Sequence, residues 1–169
     1  MRLPRVFTNK KIAAAGFTLI EMLIVIGIMT SLGGVALVVS MNNYHAYAFR
    51  AERDTLVSLL QKARSQSMSN LCLGASMSCM NGRPHGVYIS AGQYTVFQGQ
   101  TYAARDSAID EIYLMRGVDV MTRSGSLTEV VFAQLSGDVA LPGYITFLNS
   151  DGHVSTTTIT SQGAITWTN

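Results

Sequence analysis

The chain has 169 residues, of which 48% are hydrophobic and only 13% are charged. A soluble domain usually carries about 25% charged residues, so the composition indicates one domain with an apolar appendage. The net charge of +2 is local in origin, because four of the twelve basic residues lie in the first eleven positions. From residue 17 onward there are eight basic and ten acidic side chains, a net charge of −2. This balance gives no basic footprint for nucleic acid, which is not expected as a partner.

The first forty residues divide into a short basic segment and a long apolar run. Residues 1–16 carry four basic side chains and end in small residues, as a cleavable leader does. The run from Phe17 to Ser40 has 24 residues and as a helix is about 36 Å long, enough to cross a hydrocarbon core of about 30 Å. The basic residues precede this run. We therefore expect a single-pass inner-membrane protein with its N-terminus in the cytoplasm and its head outside.

One charged residue interrupts the apolar run. Glu21 lies near its start, and a carboxylate at the centre of a bilayer costs about 2.5–3.5 kcal/mol on insertion scales. An acidic residue in this segment therefore needs a partner or a function.

Residues 41–71 contain neither Pro nor Gly and show the periodicity of an amphipathic helix. Its apolar face comprises Phe49, Leu56, Leu60, Ala63, Ser67 and Leu71. We predict one continuous helix from Phe17 to about Asn70, with a membrane half at 17–40 and an amphipathic half at 41–71. Arg50 and Asp54 are four positions apart and are predicted to pair.

The remaining residues, 72–169, have the alternation and turn residues of a β-rich head. Gly86–Ser90 and Gln93–Gln98 flank Ala91-Gly92 and predict a hairpin. Further strands are predicted at Ile109–Met115, Glu129–Gln134, Tyr144–Leu148, His153–Thr160 and Ala164–Thr168. The rest of residues 100–125 is predicted to be loop.

The two cysteines, Cys72 and Cys79, have no other cysteine to compete for pairing. Seven positions apart on a helix, their Cα atoms would lie roughly 10 Å apart, beyond the reach of a disulfide. A bond between them therefore requires the helix to end before Gly74. An oxidising compartment favours this disulfide; the alternative is two small buried thiols.

No constellation of side chains indicates an enzyme. His45, His85 and His153 lack the spacing of zinc ligands and are predicted to lie at the surface or in turns. The acidic residues between 106 and 111 are predicted to belong to a solvated loop rather than to a cation site. We expect no catalytic residue, no metal and no cofactor.

The string GFTLIEMLIVIGI, residues 16–28, is similar to the N-terminus of type IV prepilins and secretion pseudopilins. The resemblance implies that a prepilin peptidase cuts between Gly16 and Phe17, that Phe17 is then N-methylated, and that Glu21 becomes the fifth mature residue. It also implies an α+β pilin-like fold, with a long N-terminal helix and a small antiparallel β-sheet head.

The four-residue spacing has a physical reason in that family. Cleavage creates a charged amino group at Phe17, and Glu21 lies about one helical turn away. In an assembled bundle the carboxylate can neutralise the amine of a neighbouring subunit, which is costly to leave unpaired. The alternatives are an ordinary signal anchor or a secretory signal, but a secretory apolar region has only about 7–15 residues.

The segment from Leu59 to Ser67 resembles the end of the long helix in FimT-like minor pilins and H-type pseudopilins of type II secretion, with Ser67 where that pattern has Ala. The implied function is a minor structural subunit that primes or caps a type IV pilus or a pseudopilus. The implied partners are the prepilin peptidase, other pilins or pseudopilins, and inner-membrane lipid.

Three alternatives remain at this stage. The first is a major pilin, and the second is a DNA-uptake pilin that binds DNA through its head. Some FimT-like proteins bind DNA through C-terminal arginines, but here no Lys or Arg follows Arg123. The third is an anchored periplasmic enzyme. The predicted organisation is a leader at 1–16, helix halves at 17–40 and 41–71, and a head at 72–169.

Overall fold

The structure, a computed structural model, describes four ranges of the chain. Three segments inside these ranges are described by their backbone alone. The described ranges are 16–74, 81–115, 121–149 and 152–168; the backbone-only segments are 36–43, 45 and 121–123. The chain divides into two compact units, Met1–Asn42 and Asn43–Asn169.

Helical backbone, α1, extends from Leu19 to Met68. It begins where the Thr18 hydroxyl accepts a hydrogen bond from the Glu21 N–H at 3.3 Å, as an N-cap residue does. It ends at Met68, and Asn70 just beyond it has a left-handed φ of 55°. There the Leu71 N–H donates to the Gln66 carbonyl at 3.0 Å and the Asn70 N–H donates to the Ser67 carbonyl at 3.1 Å, which is the Schellman pattern.

The predicted fold class, a single long helix with a membrane half on a small β-sheet head, is wrong. α1 is divided between the two compact units, and only its part after Asn42 belongs to the same unit as the strands. The described strands form two antiparallel sheets of four strands each, so the second unit is mostly β.

The predicted membrane span and single-pass inner-membrane localisation are also contradicted. Within the described parts of the chain, no helix is both long enough and apolar enough to cross a membrane.

The eight strands are short and all of their pairings are antiparallel. Their bounds are His85–Ser90 (β1), Gln93–Gln98 (β2), Glu111–Leu114 (β3), Met121–Gly125 (β4), Glu129–Phe132 (β5), Gly143–Asn149 (β6), Val154–Ile159 (β7) and Ile165–Thr168 (β8). The first sheet has the order β3-β2-β1-β5 and the second has the order β4-β6-β7-β8.

The predicted hairpin of β1 and β2 is confirmed, and Gly92 at its turn has a φ of 87°, a conformation that glycine adopts at no steric cost. The five further predicted strands are confirmed with shifted ends as β3, β5, β6, β7 and β8. The prediction of loop at the end of residues 100–125 is wrong, because β4 pairs there with β6.

The core of the second unit lies between the 46–68 stretch of α1 and both sheets. Five residues of the predicted apolar face are buried, namely Phe49, Leu56, Leu60, Ala63 and Ser67. The helix residues of the core pack with Val87, Ile89, Tyr94 and Val96 of the first sheet and Ile145, Phe147 and Ile159 of the second. The predicted pair of Arg50 with Asp54 is wrong, because the Arg53 guanidinium contacts Asp54 at 2.8 Å.

Candidate assembly site

The helix of the first unit exposes large apolar side chains in an almost unbroken series. Twelve such residues between 17 and 35 are 44–79% exposed, and five of them follow one another from Met22 to Ile26. Five consecutive helical residues point in all directions around the axis. A helix that is apolar all round is normally buried against other apolar groups. This stretch is therefore the candidate assembly site.

Glu21 is the single charged residue in this stretch and occupies the first turn of α1. Thr18 and Glu21 have the spacing of a capping box, in which the cap residue is followed three positions later by Glu. A carboxylate in the first turn is also stabilised by the partial positive charge of the helix N-terminus. The Thr-x-x-Glu spacing is the sequence signal from which Thr18 could have been predicted as the cap.

Gly16 and Phe17, the predicted cleavage site, lie just before the helix and are both exposed. Phe17 is 77% exposed, and among the described residues no atom lies within 4 Å of the position that a Cβ on Gly16 would occupy. The peptide bond between them is therefore exposed in the described part of the chain. The leader residues 1–15 lie outside the described residues.

Cys72 follows the end of α1 and is disulfide-bonded. The Gln98 side chain holds Leu73, the residue after Cys72. It accepts a hydrogen bond from the Leu73 N–H at 2.7 Å and donates one to the Leu73 carbonyl at 3.3 Å. The same Gln98 amide lies 3.6 Å from the Cys72 sulfur. Cys79 lies outside the described residues, so the pairing of Cys72 with Cys79 stays a prediction.

His85 is buried at the start of β1, so its predicted surface or turn position is wrong. It is 1% exposed, and its backbone N–H donates to the Ser67 hydroxyl at 2.8 Å. Burial lowers the pKa of the His85 imidazole, although the nearby backbone of Arg83 and the side chain of Gln98 act in the opposite direction. His153 is exposed, and the side chain of His45 is not described.

Two of the acidic residues that were assigned to a solvated loop instead pair with cations. Asp110 accepts from the Arg105 guanidinium at 2.6 Å, and Glu111 contacts the Lys62 amine at 2.5 Å. The hydrogen bond between Lys62 and Glu111 raises the pKa of the lysine and lowers the pKa of the glutamate. The Tyr113 hydroxyl also donates to Glu111, at 2.6 Å. This cluster joins α1 to β3.

Other kinds of site find little support. Among the described residues, no group of three or more His, Cys, Asp or Glu side chains could hold a metal ion. Comparison of the chain with protein-family models, with curated proteins and with solved structures finds no match.

Proposed function

We propose that the chain is a structural subunit that assembles through its N-terminal helix into a filament of the type IV pilus or type II secretion pseudopilus kind. The observation that carries the proposal is the apolar stretch 17–35, whose large side chains are exposed on all sides in the single chain. Packing this stretch against the same stretch of neighbouring subunits removes that surface from water, at about 25 cal/mol per Å².

Glu21 sets the register of this packing. It is the one charge on an apolar helix, and it lies one turn from the amino group that cleavage before Phe17 creates. A neighbouring subunit that docks at the correct height brings its amine to this carboxylate. A subunit at another height leaves both charges unpaired in an apolar bundle, which is costly.

The partners in this proposal are a prepilin peptidase and other pilin-like subunits. The exposed bond between Gly16 and Phe17 fits the peptidase step. Mass spectrometry of the N-terminus of the extracted protein tests it, with a methylated Phe17 as the expected first residue. A chain that still begins at Met1 in cells with an active peptidase would contradict the processing step.

Three variants separate the charge of Glu21 from its position in the capping box. Glu21→Gln keeps the length of the side chain but removes its charge, Glu21→Ala removes the carboxylate altogether, and Thr18→Ala removes the cap alone. The hydrogen bond from the Glu21 backbone N–H to the Thr18 hydroxyl is available in both Glu21 variants. We expect both Glu21 variants to be depleted from sheared filaments, roughly tenfold for each 1.4 kcal/mol of lost docking energy. Thr18→Ala should be incorporated nearly as well as the wild type. The charge role is wrong if Glu21→Gln assembles normally.

A further inference from the structure

The outer edge of β3 carries backbone groups that the first sheet leaves unpaired. Among the described strands, β3 is the end strand of that sheet and pairs on one side with β2. Beyond its last residue, the Met115 N–H donates to the Gly92 carbonyl at 2.9 Å. Because alternate residues of an antiparallel strand bond to the same neighbour, the odd-numbered residues of β3 bond to β2. The N–H and C=O groups of Ile112 and Leu114 therefore point away from the sheet.

The side chains on this edge are apolar and solvent-exposed. Ile112 is 60% exposed and Leu114 is 75% exposed. Edge strands are usually protected by outward Lys residues, by Pro or by a bulge. β3 has no Lys or Pro, and its one charged residue, Glu111, is held 2.5 Å from the Lys62 amine on α1.

Open space adjoins the same edge. A groove of about 780 Å³ lies beside β3 within the second unit. It is lined by Ala51, Glu52 and Thr55 of α1 and by Ile112, Tyr113 and Leu114 of β3. Glu52 is 3% exposed, so it contributes little surface to the groove.

We propose that β3 pairs with β3 of a second copy of this chain. In an antiparallel pair centred on Tyr113, Ile112 lies opposite Leu114 of the partner subunit, and Leu114 opposite Ile112 of the partner subunit. Each of these two pairs exchanges two backbone hydrogen bonds and brings one apolar side chain against another. No like charges lie directly opposite, because Glu111 faces Met115 of the partner subunit. The two first sheets then form one continuous sheet of eight strands.

This pairing is separate from the proposed filament contact, because β3 lies outside the apolar helix at 17–35. Amide hydrogen exchange on the full chain, in a mild detergent that covers that helix, tests it at low and high protein concentration. We expect the amides of Ile112 and Leu114 to exchange roughly tenfold or more slowly at high concentration. The amides of Glu111 and Tyr113, which bond to β2, should be protected at both concentrations.

Sedimentation of two lysine variants completes the test. Leu114→Lys places a charge on the edge and should abolish the dimer. Leu141→Lys is the matched control, because Leu141 is also 75% exposed but lies outside the strands, and it should dimerise like the wild type. Concentration-independent exchange at Ile112 and Leu114 would overturn the proposal. So would a dimer that persists in Leu114→Lys, which would place the contact elsewhere, for example in the apolar helix.

Discussion

The two stretches of α1 have the same backbone conformation and opposite surroundings. In the stretch 19–35 the large apolar side chains are exposed, whereas in 46–68 Leu56, Leu60 and Ala63 are completely buried. The second stretch finds its apolar cover within its own unit, in the two sheets. In the proposed function, the first stretch finds this cover on neighbouring subunits. Stability of the second stretch is then a property of the chain itself, whereas that proposal makes ordering of the first depend on the concentration of partners.

Truncation of one leucine or isoleucine in each stretch gives the largest expected contrast. Leu60→Ala removes a side chain with no exposure and should lower the free energy of unfolding by about 2–5 kcal/mol. Ile24→Ala removes one that is 57% exposed and should change the same quantity by less than about 0.5 kcal/mol. Urea unfolding followed by tryptophan fluorescence measures both. An equal loss in the two variants would remove the contrast between the stretches.

The polar end of the buried stretch should show a smaller effect. Ser67→Ala leaves the buried His85 N–H without its acceptor and should cost about 1–3 kcal/mol. Ser69→Ala is the matched control, because Ser69 is exposed and donates only to the carbonyl of Gln66 in the same helix. Its expected cost is below about 0.5 kcal/mol. Similar urea midpoints for the two variants would show that the Ser67 contact with β1 contributes nothing.

Acid should weaken the second unit gradually. The folded pKa of His85 lies below the unfolded value of 6.5, so the unfolded chain binds the proton more readily. Stability from the neutral imidazole is complete above pH 6.5 and falls below it, by at most about 1.4 kcal/mol per pH unit, until the folded pKa is reached. Glu111, whose folded pKa is lowered from 4.5, adds a loss only below pH 4.5.

Thermal unfolding of the His85→Gln variant across this pH range checks whether His85 causes this loss of stability. The stability of the variant should depend less on pH between pH 6.5 and pH 5 than that of the wild type. Below pH 4.5 both proteins should lose stability equally. An unchanged slope in the upper range would mean that His85 does not contribute the acid sensitivity.

Elements that depend on residues close together in the sequence could be predicted from the sequence. The β1–β2 hairpin follows from Ala91-Gly92, and the buried helix face follows from the spacing of Phe49 to Ser67. Strand β4 was missed because MTRSG lacks apolar alternation, and its partner β6 lies some twenty residues further along the chain. His85 was misplaced for a similar reason, since its neighbours Ser67 and Gln98 come from other elements.

The site was predicted less completely than the sheets. The apolar character of residues 17–35 and the isolated position of Glu21 were evident in the sequence. The prediction of a membrane span was wrong because hydropathy shows only that a segment requires an apolar environment. It does not show which molecule supplies that environment. The edge of β3 could not be recognised, because exposure of Ile112 and Leu114 depends on which strand ends the sheet.

The amide of Gln98 bonds to both backbone groups of Leu73, as the peptide group of an adjacent strand residue would. Non-covalent contacts thus fix the place of Cys72 independently of its sulfur bond. Oxidation of Cys72 in the newly made chain is therefore expected to follow folding rather than to guide it. A reducing agent should then break the sulfur bond of Cys72 while Leu73 stays anchored to β2 through Gln98.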